Sequence, residues 1–500
     1  MAWKPGPLRA SPLRAPEAWL VGTAAVLFLL AASLKLQAPL TYWDARLLEW
    51  GLAAGPAPAP AGTSPFFLLL LKGLAALGWL EAALLRWVQA LGVLLSGATA
   101  YLLALRLWED RRAGALAFAL YVLHPAAIQG AHSLDLADAS FYPAFVSLWL
   151  LEFLSPSAGR GRFVRLGGWS ALAMGWKTTS SLGLLLFALP LVRRGVSRKG
   201  GDWGDLLATW AGLALFPLLG WLLPGWEAAA TSAGAATEGL RLRPLSTLIF
   251  HLMMGLLWWG PFLAVLGAWG AVTLRARGIP RPGGRLIAGA ALYLGGYLLA
   301  GGMNYGFPRY YVALLPLLCG MAANPGHAPG LHWRSLGILL LLALPFGLWM
   351  PDPILFLNTG VREAFVHRAL AHAPAGPLLI GAAWLGLAAA AARTLHISWA
   401  NLLVLLALAY ALGLGIIQGR ARYVTSYGYG ESGRAEVLGW AESNAVRGSA
   451  LLSPPNLQAE LQRLGFRGAG HGVWRSREDV LGYLRREAPS AVVLSATENA

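Results

Sequence analysis

The 500-residue sequence has one cysteine and few charged residues. Charged side chains make up 12% of the chain, whereas soluble domains carry roughly 25%. The cysteine, Cys319, lies in an apolar run, which excludes a disulfide framework and a cysteine-based metal site. With 57% hydrophobic residues and a mean hydropathy of +0.56, the sequence contains more apolar residues than a soluble core can bury. The low fraction of charged residues and the high apolar content exclude a water-soluble protein.

The sequence contains several long apolar runs. Ala18 to Leu34 and Leu336 to Trp349 approach or reach the roughly 17 to 25 residues that a membrane-spanning helix needs. Lys4, Arg9 and Arg14 precede the first run, as in a signal peptide, but no small-residue cleavage site follows. We therefore expect a retained first span.

The formal net charge of +16 is distributed in short breaks between apolar runs, which argues against nucleic acid as a partner. Basic loops of this kind follow the positive-inside rule. Their alternation predicts about 13 transmembrane helices, with the N-terminus inside and the C-terminal segment outside. The basic residues are Lys4/Arg9/Arg14, Arg106/Arg111/Arg112, Arg160/Arg162/Arg165, Arg193/Arg194/Arg198/Lys199, Arg275/Arg277/Arg281/Arg285, Arg334 and Arg393.

The composition changes near residue 418, where charged residues become frequent. We therefore predict an all-α polytopic membrane domain over 1–417 and a small extracytoplasmic α/β domain over 418–500. Strands are expected at 450–452 and 491–494, and helices at 431–444, 456–464 and 477–487. Gly428-x-Gly430-x-x-Gly433 matches a dinucleotide fingerprint but lacks the acidic residue and βαβ unit that such a site requires.

One interval between basic loops, Leu166 to Val192, is short for two membrane crossings. Each arm would reach only ~20 Å, against a hydrocarbon core of ~30 Å. The polar tip, Lys177 to Ser181, should therefore lie within the membrane profile, where polar backbone lines a cavity or is buried in protein. Lys177 is a candidate site residue facing a cavity open to the outer side. The alternative is a lysine that snorkels to the interface.

Further candidates lie in the other outer connections. Asp44 belongs to the first outer loop, at about 37–83, where it is either a general base or a solvated aspartate paired with Arg46. Asp135 and Asp138 occupy a turn between apolar runs, where ionisable groups are costly.

Arg309 and Tyr310 precede an apolar run on the outer side, against the positive-inside bias. A phosphate would explain this arginine, because a guanidinium binds phosphate bidentately and a phenol adds a hydrogen bond.

The histidines suggest no metal site. His124 and His251 lie in apolar runs, where packed or hydrogen-bonded side chains are more common than ligands, and no His/Glu/Asp spacing is typical of a metal site. The sequence predicts no resident cofactor and leaves a divalent metal open.

These residues together resemble the GT-C superfamily of membrane glycosyltransferases, nearest to the protein O-mannosyltransferase and aminoarabinose transferase types. The resemblance covers about the first 320 residues by motif and the remainder by architecture. Asp44 matches the catalytic acid of the first loop, and Asp138 the acid after the third span. Lys177, in Gly175-Trp176-Lys177, matches a lysine after a Gly-rich helix, and Arg309-Tyr310 matches an Arg-Tyr step.

The resemblance implies a polyprenyl-phosphate-linked sugar as donor and inverting transfer to a glycan, lipid or protein acceptor. It also implies a multi-pass protein of the plasma or inner membrane, surrounded by membrane lipids, with its active site on the extracytoplasmic face. The chain departs from the family at Ala45, where many members have Glu, and at Ser64-Pro65-Phe66, where several have a basic residue or His. These departures concern the acceptor and the metal requirement.

The residues fit this chemistry independently. A lipid phosphate leaves without a general acid if cations stabilise its developing charge, and a carboxylate must accept the proton of the acceptor hydroxyl. A transporter or lipid-linked sugar flippase is the alternative, although midplane charges and inverted repeats, typical of transporters, are not apparent. A non-enzymatic scaffold would need no opposed acids and cations.

Overall fold

The computed structural model describes most of the chain, and it is largely helical. The described residues are 15–36, 42–52, 65–132, 139–155, 160–177, 181, 183–190, 201–220, 259–276, 282–299, 312–324, 333–349, 375–394, 396–420, 434–452, 461–462, 464–469, 485 and 491–492.

The secondary structure follows the apolar runs of the sequence. The first helices are α1 (Ala15–Ser33), α2 (Tyr42–Leu52), α3 (Pro65–Ala76), α4 (Ala82–Trp108), α5 (Arg111–Val122), α6 (Pro125–His132), α7 (Tyr142–Leu154), α8 (Arg160–Trp176) and α9 (Gly183–Ala188). They are followed by α10 (Gly201–Gly220), α11 (Pro261–Ala276), α12 (Pro282–Leu299), a 3-10 turn (Val312–Leu314), α13 (Leu315–Ala322), α14 (Trp333–Trp349), α15 (Ala375–Thr394), α16 (Trp399–Arg420) and α17 (Arg434–Asn444). The strands are β1 (Ala450–Leu452), β2 (Arg467–Ala469) and β3 (Ala491–Val492).

Several helices have the length and composition of membrane spans. Within the described residues, Pro16–Ser33, Ala82–Trp108 and Trp399–Ile417 each qualify alone. The helices α5 and α6 qualify together, although they are bent by 54° at their junction. A polytopic helical membrane protein is therefore confirmed, whereas the number of thirteen spans and the inside position of the N-terminus stay predictions.

The long helix α4 lies at the centre of the main hydrophobic core. It packs against α5, α6, α7 and α13, and fully buried residues such as Val93, Ala100 and Leu103 lie along it. The helix ends where Glu109 adopts a left-handed conformation (φ 56°) and its N–H bonds the Leu105 carbonyl. Asp110 then caps α5 by accepting from the Arg112 backbone N–H at 2.8 Å.

The bend between α5 and α6 comes from a proline. Pro125 begins α6 at a position where its missing N–H costs no helical hydrogen bond. The short helix α6 is buried along its whole length and ends at His132, immediately before the predicted acidic turn.

The C-terminal region contains a three-stranded parallel sheet in the order β2-β1-β3. Leu451 pairs with Gly468 on one side and with Ala491 on the other. The expected strand at 450–452 matches β1, and β3 covers the first half of the one expected at 491–494. Most of the helices expected at 456–464 and 477–487 lies outside the described residues, and the extracytoplasmic side of this region stays a prediction.

Candidate functional site

The structure describes the side chains of two predicted site residues, Asp44 and Lys177. Arg46 lies on α2, and its side chain is outside the described part of the chain. The remaining predicted residues, Asp135, Asp138, Arg309 and Tyr310, also fall outside the described residues.

Asp44 is completely buried in the first turn of α2. A carboxylate in the first turn is favoured by the helix dipole. The alternative of a solvated loop aspartate is therefore wrong, because no part of Asp44 is exposed. Its charge interacts with a buried cation on another helix, Arg86 of α4.

Arg86 is 1% exposed and bonds three backbone carbonyls. Its Nε donates to the His132 carbonyl at 2.9 Å. Its Nη1 donates to the carbonyls of Lys35 at 2.9 Å and Leu36 at 2.8 Å. Arg86 was not among the residues predicted from the sequence, although it lies at a helix end predicted to face outward, where an arginine departs from the positive-inside bias as Arg309 is predicted to do.

The carbonyls bonded by Arg86 belong to the residues that precede the acidic segments. Leu36 is the last described residue before Asp44's helix, and His132 is the last before the turn of Asp135 and Asp138. The His132 ring strengthens this junction, because its Nε2 donates to the Ala31 carbonyl of α1 at 3.0 Å. The ends of α1 and α6 are thus tied together at the start of α4.

The residues that follow the segment of Asp135 and Asp138 are also bonded to α4. The Ser140 hydroxyl donates to the Gln89 side-chain oxygen, and the Ser140 carbonyl accepts from the Ser96 hydroxyl at 2.6 Å. Gly130 allows the close approach, because a Cβ there would lie 2.8 Å from the Ala139 carbonyl oxygen. Arg86 and Gln89 are one helical turn apart, so His132 and Ser140, which flank residues 133–138, bond the same stretch of α4.

Lys177 directly follows α8, at the position where the sequence predicts a break. Its backbone N–H still bonds the Ala173 carbonyl at 2.8 Å. Its own carbonyl accepts from the backbone N–H of Ser181 at 3.0 Å and from the Ser181 hydroxyl at 2.7 Å. The residue is 8% exposed, which disfavours the snorkelling alternative.

An aromatic cluster lies next to Lys177. Trp176 stacks on Phe141 with ring centroids 4.7 Å apart and an interplanar angle of 17°, and it meets Phe66 edge to face at 6.4 Å. Gly175 is required here, because a Cβ would overlap the Phe66 ring. The Lys177 backbone is therefore held beside Phe141, which follows the acidic turn, and beside α3.

One apolar cluster contains sequence neighbours of both Asp44 and Lys177. Leu47 and Leu48 of α2, three and four residues after Asp44, pack with α3 and Leu85, and Trp176, which precedes Lys177, packs against this cluster. The backbone segments that carry Asp44 and Lys177 therefore meet at this cluster. Within the described residues, no group of three His, Cys, Asp or Glu side chains is arranged to hold a metal ion.

No protein-family model matches the chain, and no curated protein sequence does. Solved structures do resemble it. The crystal structure of ArnT from Cupriavidus metallidurans bound to undecaprenyl phosphate has a TM-score of 0.53 and 17% identity, covering 94% of this chain and 88% of that one. The apo structure of the same protein gives a TM-score of 0.52 and 18% identity, covering 89% and 84%. The chain therefore shares the fold of the ArnT structures, which agrees with the fold implied by the sequence resemblance.

Proposed function

We propose that this protein is a GT-C-type glycosyltransferase that moves a sugar from a polyprenyl-phosphate-linked donor to a glycan, lipid or protein acceptor. Transfer takes place on the extracytoplasmic face with inversion at the anomeric carbon. Asp44 is the general base, and Asp138 is a second catalytic acid. Lys177, Arg309 and Tyr310 hold the donor phosphate, while Arg46 and Asp135 are additional polar residues near the site.

The observation that carries this proposal is that Asp44 and Lys177 are both buried and that each is a close sequence neighbour of residues in one apolar cluster. Both side chains are withdrawn from solvent, although burying an ionised group is costly unless it is compensated. Such groups cluster at functional sites more often than elsewhere. The fold adds support, because it is shared with ArnT, of which one structure is bound to undecaprenyl phosphate.

The division of roles follows from charge. The acceptor hydroxyl must lose a proton as it attacks, and a carboxylate takes that proton in the transition state. The leaving lipid phosphate gains negative charge, which nearby cations stabilise without proton transfer. Asp44 on α2 and Lys177 after α8 supply the two signs of charge from different helices.

A transport function is the second reading of a polytopic chain with buried charges. A transporter or flippase would carry the lipid-linked sugar across the membrane and leave its glycosidic bond intact. The buried residues Asp44 and Arg86 lie near the start of α4, whereas transporter sites lie near the bilayer midplane. This location favours the transferase.

The deciding experiment uses the full-length protein in liposomes with a panel of radiolabelled undecaprenyl-phosphate sugars. Each donor is offered with lipid, oligosaccharide and peptide acceptors. We expect the label to move to one acceptor class, with release of undecaprenyl phosphate. Donor that crosses the bilayer with its sugar attached, without label on any acceptor, would identify a flippase instead.

A further inference from the structure

Arg86 has a geometry that only the tertiary structure reveals. It is buried on α4, and it bonds the carbonyls of Leu36 and His132, which precede Asp44 and the segment of Asp135 and Asp138 in the sequence. We propose that Arg86 is a positioning residue that acts through Asp44, holding this carboxylate in the orientation in which it accepts the acceptor's proton. The inference rests on the proposed function of Asp44 as the base.

The planar guanidinium, with several N–H donors, explains why position 86 is an arginine. Three carbonyl oxygens, of Lys35, Leu36 and His132, receive hydrogen bonds from two of its nitrogens at 2.8 to 2.9 Å. These carbonyls come from the end of α1 and the end of α6, which are far apart in sequence. A lysine ammonium is a point charge and cannot reproduce this fork.

Carbonyl dipoles alone do not neutralise a buried guanidinium. A cation withdrawn from water requires a counter-charge, or its desolvation destabilises the protein. Asp44 is fully buried, and its charge acts on Arg86. Arg86 therefore holds the backbone that precedes the helix of Asp44, and it is a buried positive charge that acts on this carboxylate.

The same helix offers a matched control. Arg106, near the other end of α4, donates from Nε and Nη2 to the Leu154 carbonyl at 3.0 and 2.9 Å. It is partly buried and interacts with the charge of Glu109. Arg106 has the same chemistry as Arg86, but none of the predicted site residues lies near it in sequence.

The test compares Arg86→Lys, Arg86→Gln and Arg106→Lys in the full-length protein. The measured quantities are kcat, the KM for the donor, binding of undecaprenyl phosphate and the thermal midpoint. We expect kcat to fall about 100-fold for both Arg86 variants, as misplacement of a catalytic group by about 1 Å can cause. Donor KM and lipid-phosphate binding should stay within about three-fold of wild type, because Arg86 acts on the base. Arg106→Lys should keep its kcat.

A second comparison separates positioning from a structural role. Arg86→Lys is also made in the Asp44→Asn background, where the base is already lost. A residue that acts only through Asp44 causes no further loss there, whereas a general structural defect lowers the residual rate by the same factor in both backgrounds.

The outcomes are decisive for each claim separately. Wild-type kcat in a folded Arg86 variant, or equal losses in both backgrounds, would overturn the positioning role, as would failure of both Arg86 variants to fold. If the wild-type protein transfers no sugar from any donor, the proposed function itself fails, and this result does not depend on Arg86.

Discussion

The two ends of α4 carry the same kind of residue in two different settings. Arg86 and Arg106 are about 30 Å apart along the helix axis, given the rise per residue, which is close to the thickness of the hydrocarbon core. Both guanidinium groups bond backbone carbonyls. Arg86 interacts with the charge of the buried Asp44, and Arg106 interacts with the charge of the exposed Glu109.

The surroundings of the two ends differ in a consistent way. At the Arg106 end, Trp108 donates from its indole nitrogen to the Gly320 carbonyl at 2.8 Å, so the polar groups fasten neighbouring helices. At the Arg86 end, Gln89 and Ser140 form a buried hydrogen bond just after the segment that contains Asp135 and Asp138. One end of α4 thus fastens neighbouring helices, whereas the other gathers the buried polar groups on which the proposed site depends.

The largest expected effect is a difference in labelling, because the two ends of α4 are predicted to lie on opposite sides of the membrane. Leu52, at the end of α2, is 64% exposed, Arg112 is exposed at the start of α5, and the native Cys319 is buried. In intact cells, a membrane-impermeant maleimide should label Leu52→Cys and leave Arg112→Cys unlabelled until the membrane is permeabilised. Labelling in the opposite order would invert the comparison and place the proposed site in the cytoplasm.

Removing the carboxylate at the Arg86 end should cause the next largest effect. Asp44→Asn keeps the shape of the side chain but cannot accept a proton, so transfer should fall by about 10² to 10⁴-fold. Binding of undecaprenyl phosphate should be unchanged. If the variant keeps more than a tenth of wild-type turnover, the base is Asp138 or Asp135 instead.

The cations assigned to the donor phosphate should have a smaller effect on binding. Lys177→Ala and Arg309→Ala each remove a charge-assisted bond worth about 1.5 to 3 kcal/mol, which corresponds to ten-fold weaker binding or more. Arg309→Lys should also weaken binding, because the bidentate fork is lost. The measurement is equilibrium binding of undecaprenyl phosphate without acceptor. Unchanged affinity in both alanine variants would mean that these residues are structural.

The smallest effect is expected at the opposite end of α4. Trp108→Phe keeps the aromatic packing and removes the hydrogen bond to Gly320. The free energy of unfolding should fall by about 1 kcal/mol, visible as a small decrease in the thermal midpoint. Turnover per folded molecule should match wild type, and a selective loss of turnover would remove the functional distinction between the two ends.

Parts of the site were predictable because they depend on local properties. The break at Lys177 follows from the shortness of the apolar interval between two basic loops, and α8 ends at Trp176 as expected. The burial of Asp44 was not predictable, because the sequence left open a solvated loop aspartate. The structure instead places Asp44 in the first turn of α2, and α3 follows in the same predicted outer loop.

The sequence by itself determined the membrane class, the distribution of basic loops, the helix break at Lys177 and the resemblance to GT-C enzymes. These properties depend on the transfer free energy and charge of each segment, which do not require knowledge of its neighbours. Only the tertiary structure decided that Arg86 is the buried cation whose charge acts on Asp44 and that the ends of α1 and α6 meet there. Those contacts join residues about 50 positions apart, so they arise from the packing of α1, α4 and α6 and leave no local pattern.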